Sequence, residues 1–400
     1  MKRITKIILA LGLFILSAKG NAQLDSSKNT LINTTALSSK VKVAVFAPIY
    51  LDSLFDGNNY KIGNNNLPKI VLPGLDFYNG MMLAIDSLNA ENKSLEVLFY
   101  DTKNAKEPIE KIVTKPEFQN VSLIIASFNT RTEIKLLADS ALSKNIPLIS
   151  LTYPNDAGIL NNPFFALVNP TLKTHLDALY KFIQRQYPTD PILLFKRKGA
   201  AENLIASTFA ELNKKTLGTP LKIKTTELVD TFGVEQVLAK LDSAKKNIIL
   251  CGSLNEVFGS NLVKAVTSNL NFKAVIIGMP TWDAIKDIGE DAEIIYSTPY
   301  NYPRTSKAGQ YIEKKYRIKL NGRPSDMVYK GFEGLYHFGN LLLKYKTDLI
   351  EHLSDKEFKL FNDYDFQLIK YTKEKFVPDY LENKKLYFIK KVDTQIKSIN

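Results

Sequence analysis

Two consecutive series of β-branched strand cores, each strand separated from the next by helix-period sequence, constrain this chain more than any other feature. Strand-like runs recur at Val41–Pro48, Leu95–Asp101, Val121–Ser127 and Pro147–Thr152, then at Ile192–Phe195, Lys222–Val229, Ile248–Gly252 and Ala274–Gly278. The nearly continuous apolar run Val43-Ala-Val-Phe-Ala47 suits a strand buried on both faces of a parallel sheet. Alternating strands and helices build α/β layers. The expected fold class is therefore α/β, with two Rossmann-like lobes and mainly parallel sheets. Such sheets gather ligands outside the carboxyl ends of their strands. With 400 residues, the chain also exceeds what one core fills.

The amino terminus reads as a signal peptide over residues 1–22. Lys2, Arg3 and Lys6 form a positive end, Ile7–Ser17 is apolar, and Gly20-Asn21-Ala22 supplies small residues for cleavage. The apolar run is shorter than the ~20 residues that span a bilayer. Residues 23–40 are polar and aperiodic, as in a flexible tether. The mature protein is expected to be periplasmic or otherwise exported, and soluble once the signal is cleaved. No cysteine follows the apolar stretch to carry a lipid. Cys251 is the only cysteine, so an intrachain disulfide is impossible, and it reads as a small buried residue. The net charge of +12 comes from lysines spread along the chain. That differs from the clustered basic face that nucleic-acid binding requires, so no nucleic-acid partner is expected.

Phe77, Met81, Ala84, Ile85 and Leu88 recur at helical spacing and predict a helix over 76–90. A second is expected over 106–114 and a third over 131–144, with a short strand at Phe164–Val168. Leu172, Leu176, Leu179 and Phe182 mark the helix Thr171–Gln186, which opens the second lobe. Glu293–Tyr302 reads as an extended return crossing. Helices over 305–319 and 325–346 follow, the latter capped by Ser325. Period-two alternation in Phe366–Thr372 and Lys385–Lys391 predicts a terminal β-hairpin or a pair of edge strands. The expected division is 41–168 plus 303–350 for lobe 1, and 169–302 plus 351–400 for lobe 2.

Catalytic equipment is thin. His175, His337 and His352 are the only histidines, and none has metal-ligand spacing with another histidine or acid. There is no Gly-x-Ser-x-Gly elbow, no phosphate loop and no Gly-x-Gly-x-x-Gly. No catalytic residue, metal site or cofactor is expected. Two lobes with so little chemistry point to capture of a ligand.

The order of segments resembles the type I periplasmic substrate-binding proteins, the branched-chain amino-acid receptor group of ABC importers. Val43-Ala-Val-Phe-Ala-Pro48 is similar to that family's opening strand, and Gly74–Ile85 to its first helix. Ile124-Ile-Ala-Ser127 and Pro147-Leu-Ile-Ser150 resemble its third and fourth strands. Pro324–Leu335 resembles its late helix. The resemblance implies a Venus-flytrap architecture: two lobes, three crossings, and a small-molecule ligand held in the cleft. It also implies an inner-membrane ABC permease as partner.

On that pattern, with the strand-end rule, the expected ligand contacts are Ser127, Asn129, Thr130, Thr152 and Tyr153 from lobe 1. Arg197, Ser253, Trp282 and Tyr300 are the expected contacts at lobe 2. Lys196-Arg-Lys198 also reads as a solvated turn before a helix over 201–214, and Trp282 as a cover on the lobe-2 core. The acid that would pair an α-ammonium, expected near Met279-Pro-Thr281, is missing. The functional reading is an exported solute-binding protein for a small polar, possibly anionic, ligand. The alternative is a sensing or protein-interaction module of the cell envelope on the same fold.

Overall fold

The computed structural model describes residues 40–63, 66–285, 293–372, 374, 376–392 and 395–399. The expected signal peptide, and all of the tether but Lys40, lie outside these. In chain order the first lobe holds β1 (Val41–Ala47), the one-turn helix α1 (Leu51–Leu54), and the small hairpin β2 (Phe55–Asp56) and β3 (Asn59–Tyr60). Next come α2 (Leu72–Ala90), β4 (Leu95–Asp101), α3 (Ile109–Ile112), β5 (Val121–Ala126), α4 (Arg131–Lys144), β6 (Leu148–Ser150) and β7 (Phe165–Leu167). The second lobe holds α5 (Leu172–Gln186), β8 (Pro191–Arg197), α6 (Ala200–Lys215), β9 (Lys222–Leu228) and α7 (Val234–Leu238). β10 (Asn247–Cys251), α8 (Glu256–Thr267), β11 (Ala274–Ile277) and β12 (Glu293–Thr298) follow it. The chain then returns through α9 (Lys307–Leu320), α10 (Asp326–Tyr345), β13 (Phe366–Ile369) and β14 (Tyr380–Asn383), and ends in β15 (Tyr387–Val392) and β16 (Gln395–Ile399).

Two seven-stranded sheets result, ordered β13-β14-β7-β6-β5-β1-β4 and β16-β15-β12-β11-β10-β8-β9. From β14 to β4 and from β12 to β9 every pairing is parallel. β13, β15 and β16 are antiparallel additions at the edges. In the first sheet the strand order reverses between β1 and β5, and in the second between β8 and β10. These are the points where an open parallel sheet leaves a crevice for a ligand.

Two expectations change. Glu293–Thr298 is a full strand, parallel to β11, with the crossing beginning only at Pro299. The tail does not form one hairpin in lobe 2. β13 and β14 pair with each other and join the first sheet through β7, while only β15 and β16 join the second. Residues 351–400 are therefore shared between the sheets. Alternation with period two reports one covered face on a strand, but not which sheet covers it.

The chain passes between the sheets at 168–171, 299–306 and 384–386, and asparagine side chains brace these passages. Asn383 Nδ2 donates to the Val168 carbonyl at 3.1 Å. The Asn301 N–H donates to Asn362 Oδ1 at 2.7 Å. Asn362 is held in turn by the buried carboxylate of Glu333 on α10. Burial raises the pKa of Glu333, while the donors from Asn362 and Phe361 act in the opposite sense.

α10 lies along α2 at close range. A Cβ on Gly80 would stand 2.0 Å from the Val328 carbonyl oxygen, and one on Gly331 would stand 2.2 Å from that of Phe77. The glycines lower helix propensity by about 1 kcal/mol each. They let two backbones meet, which seals Phe77, Met81, Leu335 and Phe338 into the core. Ser325 caps α10 as expected, its Oγ accepting the Met327 N–H at 3.2 Å.

Candidate functional site

The loops after β5 and β6 supply a set of polar groups at the first sheet's reversal point. Ser127 Oγ and Thr152 Oγ1 lie 3.0 Å apart, and the Ser127 N–H donates to the Phe46 carbonyl of β1 at 2.9 Å. Asn129 is exposed, and its Nδ2 donates to the Tyr50 hydroxyl at 2.9 Å. Tyr50 sits in the left-handed region at φ 60. Its loop is held by Asp101, whose carboxylate accepts the N–H groups of Ile49, Tyr50 and Leu51 at 2.9, 3.1 and 2.7 Å. The structure thus brings Ser127, Thr152 and Asn129 to one edge and adds Tyr50, which sequence reasoning missed. Tyr50 lies three residues beyond the end of β1, so the strand-end rule could have found it.

Thr130 has a different task. Its hydroxyl and the Glu133 carboxylate form a capping box at the start of α4. That satisfies backbone donors a helix otherwise leaves open, and it occupies the hydroxyl. Tyr153 is half-buried against the apolar cluster between the first sheet and α4.

At the second sheet's reversal point stand Arg197 and Ser253. Arg197 Nε lies 3.1 Å from Glu202 Oε1, and its Nη1 lies 3.3 Å from Asp230 Oδ1. Ser253, fully buried, donates to the same Glu202 oxygen at 2.8 Å. Lys196 pairs with Glu227 and donates to Asn203 Oδ1 at 3.0 Å. Lys196 and Arg197 are therefore engaged by acids, Glu227 and Asp230 from the exposed side and Glu202 from the buried side, while Lys198 is exposed. Glu202 was missed by the sequence reading. Its signal was an acid in the first turn of a helix following a strand. Gly199 admits it, since a Cβ there would stand 2.2 Å from Glu202 Oε2.

Trp282 is not at the cleft. It is fully buried in the lobe-2 core, with its ring against Gly259 and Gly278, where a Cβ would stand 2.8 and 2.0 Å from it. Two small residues leave a slot for a flat ring, and burial of its large apolar area outweighs exposure at a binding surface. Cys251 is likewise buried, and burial pushes its thiol pKa up to about 12.

Tyr300 joins the two lobes. It stands two residues beyond β12, yet its hydroxyl donates to the carbonyl of Leu151, the residue after β6. The carboxyl ends of β12 and β6 therefore lie within one tyrosine of each other at this crossing. Burial raises the Tyr300 pKa and keeps the hydroxyl a donor. Past β11, Asp283 is an exposed carboxylate that accepts the Tyr296 hydroxyl at 3.0 Å. It is an acid close in sequence to Met279-Pro-Thr281, four residues farther than the expected position begins.

Among the described residues no cluster of three His, Cys, Asp or Glu is placed to hold a metal ion. No helix among them is long and apolar enough to cross a membrane. A cavity of ≈ 470 Å³ opens at the amino-terminal end of the second sheet, between Lys246, Phe272 and Glu293. It lies at the opposite end of the strands from both polar clusters. The strand-end arrangement offers hydroxyl and amide groups from one lobe and a braced guanidinium from the other. It can orient a small polar molecule.

No protein-family model matches the chain, and no curated protein sequence matches it. Solved structures do. A putative branched-chain amino-acid ABC transporter protein from Rhodospirillum rubrum has a TM-score of 0.64 at 11% identity, over 90% of this chain and 100% of that one. An ABC transporter substrate-binding protein from Desulfitobacterium hafniense, in complex with Leu, has a TM-score of 0.59 at 13% identity, covering 90% and 100%. A leucine-, isoleucine-, valine-, threonine- and alanine-binding protein from Brucella ovis, in a closed conformation, has a TM-score of 0.57 at 13% identity, covering 91% and 95%. The fold is that of the type I periplasmic substrate-binding proteins.

Proposed function

We propose, from a type I periplasmic-binding-protein fold with polar clusters at both strand-order reversals, that this protein captures a small polar ligand between its lobes and passes it to an ABC importer. The observation that carries the reading is the hydrogen bond from Tyr300 to the Leu151 carbonyl, which ties the end of β12 to the end of β6. On this reading the Ser127, Asn129 and Thr152 side and the Arg197 and Ser253 side face one gap between the lobes. Ser127, Asn129, Thr152, Arg197, Ser253 and Tyr300 are the proposed contacts, with Tyr50 and Asp283 added. The role is capture without chemistry, outside the cytoplasm, with hinge closure at the three crossings.

A metabolite panel tests it. A ligand that binds the folded state raises stability by RT ln(1 + [L]/Kd), ~2.7 kcal/mol at a hundredfold excess over Kd. A thermal shift that disappears in Thr152→Ala and Asn129→Ala supports the cleft; a shift unchanged in both moves the site elsewhere. A second reading, an envelope sensing or interaction module, is favoured by the internal neutralisation of Arg197 by Glu202 and Asp230. The absence of any thermal shift, together with co-purification of an envelope protein, would select it.

A further inference from the structure

One helix gathers cations that the rest of the chain leaves dispersed. From Lys307 in the first turn of α9 to Arg323 just past its end, the sequence carries six cations and one acid, Glu313. All six cations are exposed. Lys319 pairs with Asp86; Lys307, Lys314, Lys315, Arg317 and Arg323 have no acid partner among the described residues.

The inner face of α9 is fixed by packing. Gly309, Ile312 and Tyr316 are buried, and the Tyr316 hydroxyl donates to Asp76 Oδ1 of α2 at 2.8 Å. Residues three and four apart share a helix face, so Lys307, Tyr311, Lys314, Lys315 and Ile318 form one stripe on the side away from that packing. Ile318 is 70% exposed at the end of this stripe and Tyr311 is 40% exposed within it. Lys315 Nζ lies 5.6 Å from the Tyr311 ring centroid.

Helix formation does not explain the stripe. Cations near a helix carboxyl end suit the macrodipole, which accounts for Arg317 and Lys319. Lys307 stands at the opposite end, where a cation opposes the dipole, and Lys315 with Lys319 is a like-charged i,i+4 pair, which destabilises a helix. Nor does water favour a bare isoleucine among the lysines. A strip one helix wide and ~17 Å long is small against the ~800 Å² that a stable protein interface takes from each partner. A charged bilayer needs only cations at its surface and an apolar side chain to bury.

We propose that the outer face of α9 rests on an anionic lipid bilayer, its cations meeting headgroup phosphates and Ile318 entering the interface with the acyl chains. The contact is peripheral, and because α9 packs on α2 it holds the first lobe. It is independent of what the cleft binds.

The experiment is co-sedimentation of the mature chain, residues 23–400, with vesicles of phosphatidylcholine alone or mixed with phosphatidylglycerol, and with no cleft ligand present. Wild type should bind the anionic vesicles at least tenfold more tightly than the neutral ones. That preference should vanish as salt rises from about 0.1 M to about 1 M, where the screening length falls from ~10 Å to ~3 Å. Lys314→Gln combined with Lys315→Gln and Arg317→Gln should lose tenfold or more on anionic vesicles. Lys214→Gln combined with Lys222→Gln and Lys224→Gln, which removes the same charge from exposed positions of the second lobe, should bind as wild type does. Ile318→Ser should weaken binding severalfold while keeping the salt dependence. Ile318→Trp should shift its emission to the blue on anionic vesicles, the native Trp282 being buried throughout. Melting temperatures should not change, since every substituted side chain is exposed. The proposal is overturned if wild type ignores anionic vesicles or binds neutral ones equally, if the α9 triple variant binds as wild type does, or if the second-lobe triple variant loses as much. An unshifted Ile318→Trp emission, with Ile318→Ser at full affinity, overturns the insertion. An acidic protein captured through α9 by a chain that ignores vesicles would overturn the lipid assignment in favour of a protein partner.

Discussion

Glu382, on β14 of the first sheet, accepts a hydrogen bond at 2.8 Å from the hydroxyl of Thr174, on the first helix of the second lobe. The same oxygen accepts the Thr171 N–H at 2.8 Å and its hydroxyl at 2.9 Å. Lys384 Nζ binds the other oxygen at 2.6 Å. One buried carboxylate thus fastens two of the three inter-lobe passages.

Removing that carboxylate leaves a lysine and a helix-start donor without their partner. Glu382→Ala should lower unfolding free energy by about 3–5 kcal/mol, the range for breaking a buried pair from one side. Urea unfolding reads it directly. A change under about 1 kcal/mol would mean that water replaces the carboxylate at the crossing.

Trp282→Ala should cost about 3–5 kcal/mol of stability, as large aromatic truncations in a closed core do. The loss comes without a change in ligand affinity once the protein is folded. Gly278→Ala, which pushes a methyl into the indole ring, should cost about 1–3 kcal/mol by overpacking. An altered Kd in Trp282→Phe would contradict the placement of this residue as core.

Thr130 and Thr152 should separate cleanly. Thr130→Ala removes a helix cap and about 1 kcal/mol of stability, with affinity unchanged. Thr152→Ala should leave stability nearly intact and weaken ligand binding by the worth of one hydrogen bond, about 0.5–1.5 kcal/mol. Melting and titration of the two variants side by side would check both halves.

Acid should destabilise the fold from below about pH 6.5. His175 is buried, with Nδ1 on Ser297 Oγ at 2.8 Å, and burial lowers its pKa from 6.5 to about 3. His337 is lowered to about 4 for the same reason. A histidine with a depressed folded-state pKa stays neutral while its unfolded counterpart takes a proton. Stability is therefore complete above 6.5 and is lost as pH falls toward the folded value. Each ring contributes a slope of about 1.4 kcal/mol per pH unit in that window. Unfolding free energies at pH 7 and pH 5 should differ by about 4 kcal/mol from the two together, and His175→Asn should reduce the difference.

The strand and helix pattern was legible because the central parallel strands are buried on both faces. Val43–Ala47 and Leu123–Ala126 advertise themselves as unbroken apolar runs. Ser127 and Thr152 were legible for a related reason: they follow such strands at once, and a parallel sheet places strand ends together. Thr130 followed the same rule and still proved to be a cap, because a hydroxyl three residues before a glutamate can satisfy the helix locally. Local chemistry was equally visible in both residues; which partner each hydroxyl meets was not.

Sequence alone determined the two α/β lobes, most element boundaries and the neighbourhood of the strand tips, since all of these follow from periodicity along one stretch of chain. Only the tertiary structure assigned β13 and β14 to the first sheet, sank Trp282 into the second core, and set acids against Arg197. Those outcomes depend on which distant surfaces meet, and a pairing such as Glu382 with Thr174, 208 residues apart, leaves no periodic trace in either segment.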